Sequence, residues 1–150
     1  MYRKLKSISA FFPVYNDEGT IKLMVDRLNT VLSRFTNDYE IIVVDDCSPD
    51  KSGEIAGEIA KKDKRVKVVH HKKNEGYGGA LKSGFETSSK EWIFYTDGDA
   101  QYNVAELEVS QVKQISVSLL AVLFVTLKQP WSTSPEGFVN VKIKFWVTSL

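Results

Sequence analysis

Apolar residues along this chain fall into two alternating patterns. Four short runs rich in β-branched and aromatic side chains stand at 7–15 (SISAFFPVY), 39–46 (YEIIVVDD), 65–71 (RVKVVHH) and 91–97 (EWIFYTD). The second is almost continuously apolar, as expected of a strand covered on both faces. Between the runs the spacing is helical. Ile21, Met24, Val25, Leu28, Leu32 and Phe35 recur at three- and four-residue steps and form one apolar stripe. In SPDKSGEIAGEIAKKD (48–63), Asp50 or Ser52 suits a helix cap, and Ile55 and Ile59 lie four apart. GGALKSGFETSS (78–89) predicts a shorter third helix. A glycine inside it, Gly84, costs about 1 kcal/mol against alanine, which points to close packing there.

Strands alternating with helices predict an α/β domain, a parallel sheet with helices on both faces. Right-handed crossovers narrow such a unit to two topologies. A doubly wound sheet ordered 3-2-1-4 puts the first and fourth strands side by side at the switch point, where ligands bind outside the carboxyl ends. Under that order PVYNDE (13–18), DDCSPD (45–50) and TDGDAQ (96–101) converge on one crevice.

Composition narrows the class. A chain of 150 residues suits one domain with a substantial core. Basic and acidic residues nearly balance, 20 against 19, so no nucleic-acid partner is expected. The balance is uneven: residues 1–108 hold 16 Lys/Arg and 18 Asp/Glu, while 109–150 hold four and one. Cys47 is the single cysteine, which leaves no internal disulfide and points to a reducing, cytoplasmic setting. The N-terminus reads as a first strand rather than a signal peptide. The longest apolar stretch, ISVSLLAVLFVTL (115–127), has 13 residues where a spanning helix needs about 20, so no transmembrane helix is predicted.

The candidate chemistry lies at the strand ends. Asp97 and Asp99, one residue apart, repel one another unless a cation stands between them. Gly98 permits a turn that brings both carboxylates together. With Gln101 as a neutral oxygen donor, the set suits Mg²⁺ or Mn²⁺, which would stabilise a diphosphate as leaving group. His70 and His71 show no partner acid at ligand spacing and are not read as metal ligands. HKKNEGYGGALKSG (71–84) is a basic, Gly-rich loop opening a helix. Its amides and Lys72 or Lys73 suit phosphate oxygens; a tight loop that needs positive backbone angles explains the glycines equally well. It is not a dinucleotide fingerprint, because position 81 is leucine.

Taken in order, FFPVYNDEGTI, YEIIVVDDCSPDKSGEIA and NEGYGGALKSGFETSSKEWIFYTDGDAQYNVAELE resemble family 2 glycosyltransferases of the GT-A fold. The likeness is to the dolichol-phosphate mannose synthase-like and undecaprenyl-phosphate glycosyltransferase group, and it covers residues 7 to about 108. The resemblance implies transfer of a sugar from a nucleoside diphosphate sugar to an acceptor, with polyprenyl phosphate among the acceptors. It implies that Pro13 and Tyr15 lie against the nucleotide, that Asp17 (with Glu18 as a substitute) is the acid after Asn16, and that Asp46 hydrogen-bonds the base. Asp97, Gly98 and Asp99 match the D-x-D motif, with Asp97, Asp99 and Gln101 at the metal. Such an enzyme would work in the cytoplasm or at the cytoplasmic face of a membrane.

The resemblance divides the chain into a nucleotide-sugar-binding half, 1–108, and a divergent tail, 109–150. The tail is half apolar and shows no family element, and the catalytic base is not assignable. Two other readings stay open. One is a non-catalytic nucleotide-sugar-binding remnant. The other is a signalling receiver, suggested by the strand-ending acids Asp46 and Asp97, although its acidic pair should end the first strand and here ends the second.

Overall fold

Continuous apolar runs become the central strands of the sheet. The computed structural model describes residues 5–98 and the backbone of one further strand at 144–147. In chain order the elements are β1 (Ile8–Val14), α1 (Ile21–Phe35), β2 (Tyr39–Asp45), α2 (Ser52–Lys62), β3 (Val66–His70), α3 (Gly76–Thr87), β4 (Trp92–Tyr95) and β5 (Lys144–Val147). The strands are all parallel and ordered β3-β2-β1-β4-β5, so the expected 3-2-1-4 arrangement is present. A fifth strand, drawn from the tail, extends it beside β4.

Alternation along the strands sorts the core into two layers. Ile8, Ala10, Phe12 and Val14 of β1, with Ile41 and Val43 of β2, pack with the apolar stripe of α1 and with Ala56 of α2. Phe11, Ile42, Val44 and Ile93 point the other way and pack with Ala80 of α3. Every residue of β2 is buried, which is why its sequence shows no polar face. On the α3 side Phe11 makes an edge contact with Phe85 at 4.9 Å and stacks on Tyr95 at 5.7 Å. A Cβ at Gly84 would stand 2.2 Å from the Phe11 ring, so α3 lies as close as the sequence suggests.

The cap of α2 differs from expectation. Lys51 occupies the cap position, and the Asp50 carboxylate accepts from the Ser52 amide at 2.9 Å from one residue earlier. Ser52 is fully buried and is spent elsewhere, its hydroxyl accepting from the Asp17 amide at 2.9 Å.

At the amino end of the sheet a buried acid ties several elements together. Glu40 of β2 is 4% exposed and accepts from Ser9 of β1 at 2.6 Å and from the Ser89 amide and hydroxyl at 2.8 and 2.9 Å. Lys67 of β3 completes the set at 2.6 Å. Burial opposes ionisation, but Lys67 and the hydroxyl and amide donors outweigh it and bring the Glu40 pKa down from 4.5 to about 2.

Candidate functional site

The site begins where the first strand stops pairing with the fourth. The β1–β4 register ends at Phe11 with Tyr95, and the Thr96 amide gives the last ladder bond to Phe11 O. Pro13, two residues on and facing the same neighbour, has no N–H to continue it. The chain therefore leaves the sheet at Thr96 and crosses the end of β1. Gly98 passes so close over Pro13 that a Cβ would lie 2.4 Å from its carbonyl oxygen. Its φ is not in the left-handed region, so position 98 needs glycine for lack of a side chain rather than for an unusual backbone. Thr20 secures the crossing, its hydroxyl lying 2.8 Å from Gly98 O and 3.1 Å from Asp17 O.

Two loops beside this crossing are bonded to one another. Asn16 and Cys47, each just past its strand, both take left-handed angles (φ 61° and 59°). Asparagine tolerates that region, whereas cysteine there costs about 1–2 kcal/mol. Four cross-loop bonds hold the pair. Asn16 N donates to Ser48 Oγ at 3.3 Å, Asp17 N to Ser52 Oγ at 2.9 Å, Glu18 N to Asp50 Oδ2 at 3.0 Å, and Lys51 N to Glu18 Oε2 at 3.1 Å. Asp17 turns its own carboxylate back to the Tyr15 amide at 3.1 Å.

The third wall comes from β3 and α3. Parallel register sets Asp45 opposite His70, and their side chains meet at 3.0 Å. Burial opposes the charge on Asp45, but hydrogen bonds from Ser48 and His70 hold its carboxyl below the usual range. One residue on, His71 Nδ1 lies 2.7 Å from Asp46 Oδ1, and the Glu75 amide donates to the same oxygen at 2.7 Å. The reading that these histidines lack partner acids is therefore corrected. Their acids come from the neighbouring strand, 25 residues away in sequence. The matched endings DD and HH of two adjacent parallel strands were the signal available. Gly76, the first residue of α3, takes φ 75° where the tight loop meets the helix, while Gly78 and Gly79 lie further inside α3.

These walls flank an open cavity of about 330 Å³. Pro13, Tyr15, Asp17, Asp46, Asp97 and Gly98 all line it, so the described members of the anticipated site come together in one place. Tyr15 is half exposed there. Asn74, Gly76, Tyr77 and Ala80 complete the α3 wall and were not anticipated as individual residues. Tyr77 donates its hydroxyl to Asp97 Oδ1 at 2.9 Å. Lys72 and Lys73 are exposed and are not among the lining residues. Asp99 and Gln101 lie outside the described residues.

A divalent cation fits the described part of its expected donor set. Asp97 offers a carboxylate at the cavity wall, the oxygen chemistry that Mg²⁺ or Mn²⁺ takes. Among the described residues no cluster of three or more His, Cys, Asp or Glu side chains is placed to hold a metal, so a complete site would draw on donors beyond Gly98.

Comparison with known proteins agrees with this geometry. The family model described as Glycosyl transferase family 2 matches residues 9–115. The chain is 39% identical over 92 residues to the uncharacterized glycosyltransferase EpsJ of Bacillus subtilis, covering 61% of this chain and 26% of that protein. It is 31% identical over 101 residues to an undecaprenyl-phosphate 4-deoxy-4-formamido-L-arabinose transferase of Photorhabdus laumondii, covering 67% and 31%. Among solved structures it is similar to the mannosyltransferase PcManGT of Pyrobaculum calidifontis, in complex with GDP-Man and Mn²⁺. There the TM-score is 0.59 at 22% identity, over 70% of this chain and 30% of the other, a likeness of fold. The chain thus spans only about a quarter to a third of the length of these proteins. With strand order, strand-end acids and a match over most of its length in agreement, this protein belongs to glycosyl transferase family 2 and carries the GT-A fold.

Proposed function

We propose that this chain carries the donor-binding half of a glycosyltransferase that moves a sugar from a nucleoside diphosphate sugar to an acceptor, with polyprenyl phosphate as the acceptor class. One observation carries the reading: Tyr15, Asp17, Asp46 and Asp97, from three separate strand ends, line a single cavity. Support for the ligand classes comes from the relatives, one named as an undecaprenyl-phosphate transferase and one solved with GDP-Man and Mn²⁺.

Each residue has a distinct part in that reading. Asp46 accepts a hydrogen bond from the base. The Tyr15 ring offers a flat apolar face beside it. Asp17 keeps its loop in shape by accepting from the Tyr15 amide and Glu18 by its bond across to Lys51 N, so the pocket exists before the ligand arrives. Asp97, joined by Asp99 and Gln101, would hold a divalent ion. When bound, that ion offsets the charge of the diphosphate leaving group. An acceptor oxygen then attacks the anomeric carbon as its bond to the diphosphate breaks, and the electron pair leaves with the diphosphate. A polyprenyl acceptor would set this work at the cytoplasmic face of a membrane. No helix among the described residues is long and apolar enough to cross one.

A second reading, a non-catalytic nucleotide-sugar-binding module, rests on the tail's lack of any recognisable acceptor-side element. Two measurements decide. Calorimetry with UDP and with GDP should show binding of one of them that strengthens with Mn²⁺ and loses that dependence in Asp97→Ala or Asp99→Ala. A radiolabelled donor with polyprenyl phosphate should show little or no transfer by this chain alone. No heat from either nucleotide removes both readings; brisk transfer removes the second.

A further inference from the structure

His71 lies behind the cavity wall rather than in it, and its surroundings leave little freedom. Its side chain is 7% exposed, between Asp46 Oδ1 at 2.7 Å and Ser83 Oγ at 2.8 Å. A carboxylate can only accept, so the first contact requires the proton on Nδ1. The Ser83 hydroxyl can then donate to a bare Nε2, or turn and accept from a protonated one. Both ring nitrogens are satisfied in either charge state. The order Ser83–His71–Asp46 is that of a hydrolytic relay, but neither Ser83 nor His71 lines the cavity, so the hydroxyl does not face the proposed donor site.

The consequence falls on Asp46. Its Oδ1 takes two donors, His71 Nδ1 and the Glu75 amide, which together fix the carboxylate's rotation. No described residue bonds Oδ2, although Asp46 is 4% exposed and lines the cavity. A buried carboxylate oxygen without a donor is costly unless a ligand supplies one. We propose that His71 is a positioning residue for nucleotide recognition, occupying Asp46 Oδ1 so that Oδ2 is aimed at an N–H donor of the nucleobase. This rests on the nucleotide reading above and extends it to a residue that touches no ligand.

The test uses the full chain and three variants. Long-range ¹⁵N–¹H spectra of the His71 ring should show the proton on Nδ1. His71→Phe fills the space of the ring but offers no donor, whereas His71→Asn places an amide N–H near the position of Nδ1. His71→Phe should raise the Kd for the preferred nucleotide, UDP or GDP, roughly tenfold or more, the size expected for a lost hydrogen bond to a charged group. It should also speed hydrogen exchange at the Glu75 amide. His71→Asn should recover most of the affinity, and Ser83→Ala should change it little. A bare Nδ1, or unaltered affinity in a cooperatively melting His71→Phe, would overturn the inference. Should His71→Phe not fold, the ring spectra and the His71→Asn affinity decide alone. Failure of the nucleotide reading looks different: no heat from the unaltered chain.

Discussion

Glycine, the least informative residue in composition, is here the most exacting in position. In α2 a Cβ at Gly57 would meet nothing within 4 Å, while in α3 one at Gly84 would stand 2.2 Å from the Phe11 ring. That ring is fully buried and held by Phe85 and Tyr95. The same substitution should therefore have opposite signs in the two helices. Gly57→Ala should gain about 0.5–1 kcal/mol, the ordinary helical advantage of alanine. Gly84→Ala should lose about 1–3 kcal/mol from overpacking, reduced by that same advantage. Paired urea melts read both. A stabilised Gly84→Ala would mean that the Phe11 cluster can shift and that α3 is not seated where the contact says.

At the scale of elements, what could be read from sequence divides according to whether the information is local. Strand positions and the faces of α1 followed from periodicity, while alternation and crossover handedness narrowed the sheet to two topologies, of which the doubly wound 3-2-1-4 order is the one present. Close packing at Gly84 was legible because a glycine inside a helix has a known cost. The partners of His70 and His71 were not, since they depend on the register between β2 and β3 and each lies 25 residues away. Strand β5 was also missed. The alternation from Val139 to Ile143 leads into it, but it is shorter than the apolar run at 115–127, which lies outside the described residues. The bonds between the β1–α1 and β2–α2 loops were equally hidden, because serine in a turn reads as a cap. Ser52 shows the difference. Its buried hydroxyl accepts from Asp17 N, so Ser52→Ala would leave that amide unpaired at a cost of about 1–3 kcal/mol. Faster hydrogen exchange at Asp17, with α2 still protected, is the expected signature. Exchange lost equally along all of α2 would instead identify Ser52 as an ordinary helix cap.

For the molecule as a whole, the two ends of the sheet do different work. The carboxyl ends of β1, β2 and β4 carry the cavity, and the amino ends carry the Glu40 cluster, about 20 Å away along β2 at about 3.3 Å per residue. Glu40 binds together β1, β2, β3 and the segment entering β4, so its ionisation bears on the stability of the entire sheet. Its folded pKa of about 2 lies below its ordinary 4.5, so the unfolded chain takes up the proton first as pH falls. The stabilisation is complete above pH 4.5 and is lost as pH falls through 2. For a buried carboxylate this shift corresponds to about 3 kcal/mol. Asp45, also held below the usual range, adds loss in the same direction. Thermal melts between pH 7 and pH 2 should show Tm falling most steeply below about pH 4.5. Glu40→Gln should lower Tm at neutral pH and flatten that acid slope, because the ionisable group is gone. Sites this far apart with no shared partner add independently. Glu40→Gln should therefore leave nucleotide affinity at 25 °C unchanged, whereas Asp46→Asn should weaken selectivity for the base. An affinity that falls in step with Tm in Glu40→Gln would show that the two ends are one cooperative unit, and that the cavity depends on the buried acid beneath it.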